Sequence, residues 1–258
     1  MIERTAPPGA LGLNLLRMPQ SPEPNRLTPG KATTTLLYLL VLGDLMFIAI
    51  HVLHVWSPWL PAYSLSIEAD RGLAELFQYA KQLGLVACLG FVFFRTRGWA
   101  FAGWASFFAL LLLDDAFALH ERLGSMLGVR LGFPEMFGLR QDDFGEIAIG
   151  GMLGLCAVAM VALALRRGGA TARRISQDFL CLLVLLAVFA VLIDALHTIT
   201  YFRAPTIAPL FALIEDGGEM IVVSCMTAYG FAILNNAGRR RVAIWPWVRE
   251  RLPAFARA

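Results

Sequence analysis

Three histidines and six acids stand inside stretches of sequence that are otherwise apolar: His51, His54, Asp114, Glu121, Glu146, Asp194, His197, Glu215 and Glu219. Imidazole and carboxylate are the donors with which helical bundles hold zinc, iron or manganese between facing helices. The His-x-x-His at 51 and 54 and the Asp-x-x-His at 194 and 197 each place two donors on one helical face. Glu215 and Glu219, four residues apart, lie within about 40° of each other on a helix, and Asp114 and Glu121 within about 20°. These residues predict a divalent transition metal. Three or four donors with an open position suit zinc, and a larger carboxyl share suits iron or manganese.

Such a site would lower the pKa of a bound water and use a spare carboxyl as base, or run oxidative chemistry on two irons. Either version is an enzyme acting on a lipid or small molecule. The bland alternative for the same residues is a hydrogen-bonded network joining helices, or a proton-conducting cavity, with no metal. Crowded carboxyl groups repel in a low dielectric, which argues for a cation or protons among them. A haem between paired histidines fits poorly, because acids share their stripe. A retinal pigment would need a lysine late in the last apolar stretch, and none is there.

The elements that must position these groups are long. The chain is 58% hydrophobic and 16% charged, with a mean hydropathy of +0.64, against about 25% charged residues in a soluble domain. Six segments reach the roughly 20 apolar residues needed to cross a bilayer: 33–56, 73–94, 99–119, 144–165, 179–199 and 207–234. The expected fold is an all-α bundle of six transmembrane helices over 33–235. A tail, 1–32, precedes it, with a short interfacial helix at 11–16, and a basic interfacial tail, 236–258, follows.

Basic residues set the orientation. Of the 22 lysines and arginines, 16 lie in the two tails and the second and fourth connections. Cytoplasmic segments are the ones enriched in Lys and Arg, so both termini are expected inside a bacterial-type inner membrane. Asp44 then lies near the midplane, and the histidines and the other acids within the spans fall in the outer half. Such burial costs about 2.5–3.5 kcal/mol per charge near the bilayer centre, so these groups should face a partner or a cavity.

The acids near the last span cannot be excluded from the membrane. After Glu219 only 15 apolar residues remain, 220–234, which is about 22 Å of helix against the roughly 30 Å required. Lys81 and Arg203 are expected as counter-charges or interface residues, and Asp142, Asp143, Glu68 and Asp70 as loop or helix-start residues. Asp115 and His120 are expected off the Asp114/Glu121 stripe. Gly150 and Gly154 have the spacing that lets helices approach closely.

The four cysteines, Cys88, Cys156, Cys181 and Cys225, are isolated, without the CxxC spacing of a zinc knuckle. The basic residues sit in short clusters between apolar runs, which is no nucleic-acid footprint. The expected partners are the lipid bilayer, a lipid or small-molecule substrate, and further copies or subunits of a membrane complex. The class set against an enzyme is a proton or metal-cation transporter or channel. A transport path would need polar residues through the inner halves of the spans, which are almost purely apolar.

Overall fold

A computed structural model of the chain describes residues 30–57, 63–133, 141–166 and 168–236. Residues 1–29 and 237–258 of the two expected tails, with the interfacial segment at 11–16, and Trp59 lie outside the described residues. What is described is all-helical, without strands. The helices are α1 (Lys31–Trp56), α2 (Leu73–Thr96), α3 (Trp99–Phe117), α4 (Leu119–Leu131), α5 (Gln141–Arg166), α6 (Ala170–Ala187), α7 (Asp194–Arg203) and α8 (Ala208–Asn235). A 3-10 turn at Tyr63–Leu65 sits in the first connection. A π-helical segment, Val188–Ile193, joins α6 to α7 as one long rod. Six of the resulting units are long and apolar enough to cross a membrane.

α8 is the central shaft. Two thirds of its most apolar window, 67%, is buried, against 11% for α1 and α5 and 6% for the α6–α7 rod. Small residues make that position possible, since packing in a membrane relies on close van der Waals contact rather than the hydrophobic effect. Gly217 lies under Ile48, Gly218 under the Phe189 ring and Gly230 under Leu85. The outer helices turn large apolar side chains away from the protein, among them Leu39, Leu42 and Met46 on α1 and Leu155 and Val158 on α5. A soluble protein rarely shows contiguous apolar surface on this scale.

One half of the bundle is closed by aromatic packing. Trp104 stands 5.1 Å from Phe179 and 5.7 Å from Phe108, and Phe179 is 5.0 Å from Tyr229, centroid to centroid. Leu85, Leu89, Val92, Phe101 and Ile233 complete this core. Its two buried polar handles are satisfied: the Trp104 indole donates to Ser176 Oγ at 2.7 Å, and the Tyr229 hydroxyl donates to Asp178 at 2.6 Å.

The structure corrects the expected elements in three places. The third span ends at Phe117, because Ala118 takes a left-handed conformation (φ 48°) that few non-glycine residues adopt. The chain then restarts as α4, a helix absent from the sequence reading, so Glu121 is not on the helix that carries Asp114. The fifth span begins at Ala170 rather than Phe179, which brings Ser176 and Asp178 into the bundle.

The third correction concerns glycines. Gly150 and Gly154 have nothing within 4 Å of where a Cβ would stand. The close approach is between α4 and α5 instead, where a Cβ on Gly145 would lie 2.0 Å from the carbonyl oxygen of Gly124. Backbone faces backbone, so neither side can yield. Gly145→Ala is therefore expected to push α4 off α5 and to destabilise the protein by about 1–3 kcal/mol. The Gly150→Ala control should unfold at the wild-type temperature or slightly above it. Thermal unfolding of the detergent-purified variants reads the difference.

Candidate functional site

Midway along α1, α2 and α8, a buried ion pair joins three helices. Lys81 on α2 is 2% exposed and Asp44 on α1 is fully buried. The Lys81 ammonium donates to Asp44 Oδ1 at 2.6 Å, to the Met220 carbonyl at 2.9 Å and to Ser224 Oγ at 3.2 Å. Ser224 in turn donates to Asp44 Oδ2 at 2.5 Å. All three ammonium protons and both carboxylate oxygens are used, and the Phe77 ring lies 4.9 Å from the ammonium. No ammonium proton and no serine donor is left over for chemistry. The set is a clasp, and Lys81 is the counter-charge expected of it.

Beside the clasp, toward the end of the bundle opposite the aromatic core, lies a cavity of about 400 Å³. The first half of α2, the end of α3, the start of α4, the π segment and α8 line it, together with the short loop before α2. Asp115, Asp216 and Glu219 stand on its helical walls, and Glu68, Asp70, Glu75 and Glu121 come from the loop and helix ends around it. Gln78, Gln82, Tyr79 and His120 supply the remaining polar groups. Ile67, Leu111, Leu186, Met220 and Val223 supply apolar wall. Among the described residues no lysine or arginine lines it.

Local structure explains why these groups converge. The left-handed break at Ala118 turns the chain so that His120 and Glu121 fold back over the end of α3. Asp114 caps the new helix, accepting from the His120 backbone N–H at 2.9 Å and lying 3.1 Å from its Nδ1. Asp115, one residue on, faces the cavity and accepts from Gln82 Nε2 at 2.8 Å. On α2, Glu75 accepts from the Tyr79 hydroxyl and from the Arg71 backbone N–H. Glu219 lies in the electrostatic field of Glu215, Asp115 and Asp194.

Of the residues singled out from sequence, Glu121 and Glu219 line the cavity. Asp194, His197 and Glu215 gather beside it, where α7 meets α8: His197 Nδ1 is 2.8 Å from Glu215 Oε2, and Asp194 is in hydrogen-bonding reach of Glu215. The π segment supplies this register, with the Asp194 backbone N–H reaching back to the Phe189 carbonyl. Such a bulge re-aims everything after it. Glu146 sits on α5 against Gly124 of α4, and the His54 ring is 6.4 Å from that of Tyr63.

His51, fully buried, has its Nδ1 3.0 Å from Ser66 Oγ, with Glu68 Oε1 3.9 Å from its Nε2. Serine, histidine and glutamate are the types of an acyl-transfer triad, but Ser66 is 1% exposed and its Oγ already accepts the Glu68 backbone N–H. The arrangement ties the first connection to α1. Three or more His, Cys, Asp or Glu side chains placed to hold one metal ion are not found among the described residues.

Asp115, Asp216, Gln78, Gln82 and Tyr79 are cavity residues that the sequence reading left out of its candidate site. Asp115 was legible only with the break after Phe117. Gln82 carries no charge and so raises no alarm inside an apolar run.

No curated protein and no solved structure matches the chain. One family does, over residues 39–233, a stretch that takes in the clasp and every helix lining the cavity. The chain belongs to the family described as Domain of unknown function (DUF8692).

Proposed function

We propose that this is a multi-pass membrane protein, with both termini in the cytoplasm of a bacterial-type cell, that binds a cationic ligand in a cavity open at the outer end of its bundle. One observation carries the reading: seven Asp and Glu residues line one cavity that no lysine or arginine among the described residues lines. Clustered acids in a low-dielectric setting repel one another unless protons or a cation neutralise them, and a cation relieves several at once. The ligand class includes the zinc, iron or manganese ion that the residue types suggest, and any enzymatic use of it would act on a substrate reaching the cavity from the outer leaflet. A continuous transport path is the second class. The apolar and aromatic core beneath the cavity favours a one-ended pocket over it.

Orientation is tested with a reporter active only outside the cytoplasm. Fusions after residue 61, near 135 or after Arg203 should give signal, and fusions after Arg97, Arg173 or Arg241 should give none. Signal after Arg173 would invert the bundle and place the cavity on the cytoplasmic side. For the ligand, thermal unfolding in detergent at constant ionic strength should shift upward with Mn²⁺, Ca²⁺ or an organic ammonium ion but not with matched Na⁺. Elemental analysis of protein purified without chelators identifies a metal that travels with it.

A further inference from the structure

We propose that the ligand is a small linear di- or polyamine rather than a single metal ion, an inference that rests on reading the cavity as a cation site. Size is the first argument. A water takes about 30 Å³ of liquid, so a cavity of about 400 Å³ far exceeds one ion with its inner ligands. The second is dispersion of charge. A bound metal needs several oxygens converging within roughly 2.0–2.6 Å of one point. Among the described residues no three His, Cys, Asp or Glu side chains are placed to hold one ion; the cavity acids are spread over α3 (Asp115), α4 (Glu121) and α8 (Glu219), with Met220 and Val223 also on the lining. Separated negative charges with apolar wall among them match ammonium groups joined by methylenes.

Two glutamines on the lining point to the same ligand without the acids. Gln82 is 9% exposed and lines the cavity. Its amide nitrogen is committed to Asp115 Oδ2 at 2.8 Å, which leaves Oε1 buried with no partner. Gln78, one turn earlier on the same helix and also on the lining, has its buried Oε1 unpartnered too. Buried polar groups are nearly always hydrogen-bonded, so two orphans side by side call for a donor. An ammonium group brings three N–H donors and a positive charge together. A small turn of each side-chain amide toward the cavity would let the glutamine oxygens accept from it while Asp115 and Glu219 balance its charge.

The experiment is calorimetric titration of the full chain in detergent with spermidine, 1,4-diaminobutane, the neutral 1,4-butanediol, MnCl₂ and CaCl₂ in turn. The amines should bind, spermidine most tightly, and the diol should not. Gln82→Leu should weaken amine binding about tenfold, as expected for losing an acceptor to a charged donor. Gln78→Leu gives an independent reading if the first variant does not fold. Binding of Mn²⁺ or Ca²⁺, lost in Glu219→Gln, without any binding of amine would overturn the amine and leave the cation cavity standing. Absence of binding by every cation would overturn both.

Discussion

Lys81→Ala is expected to destabilise the protein by about 3–5 kcal/mol, because it leaves the Asp44 carboxylate buried without its partner. Asp44 is fully enclosed between α1, α2 and α8, so no side-chain movement returns it to water. Ser224 alone would remain to bond it. In detergent, size-exclusion profiles of Lys81→Ala should broaden or collapse, and Asp44→Ala, which strands the ammonium, should do the same. The paired change Asp44→Leu with Lys81→Met should recover most of the loss, since replacing a buried ion pair by apolar groups of similar volume is often neutral or better. A Lys81→Ala protein that unfolds at the wild-type temperature would contradict the clasp.

The clasp also shows how far the sequence could be read. Asp44 was legible as a midplane acid, and Lys81, within the second span, as a counter-charge or an interface residue. Which acid it answers was not legible, because the two are on different helices and each could have turned to several neighbours. The spans themselves were legible because bilayer thickness imposes a length that composition reveals. The break after Phe117 was not, since Ala118 is an unremarkable helix former whose left-handed backbone reflects tertiary packing. That one residue decides which of Asp114 and Asp115 faces the cavity. The π segment was equally silent, as its sequence, Val188–Ile193, is plain apolar helix. Grouping the polar residues at one end was within reach of the sequence; assigning each a partner needed the backbone.

The cavity acids are held together for a cation at a cost to the fold. Sites built from mutually repelling groups trade stability for function. Neutralising Asp115 and Glu219 together, as Asp115→Asn with Glu219→Gln, keeps their shapes and an acceptor for Gln82 while removing two of the repelling charges. In wild-type protein a cationic ligand at one hundred times its Kd should add about 2.7 kcal/mol of stability. The most direct measurement is the thermal midpoint of wild-type and doubly neutralised protein, each with and without saturating cation. The doubly neutralised protein should melt above wild type when no cation is added, and adding the cation should leave its midpoint unmoved. A variant that melts lower than wild type and still gains the full cation-dependent shift would contradict the cavity as the site.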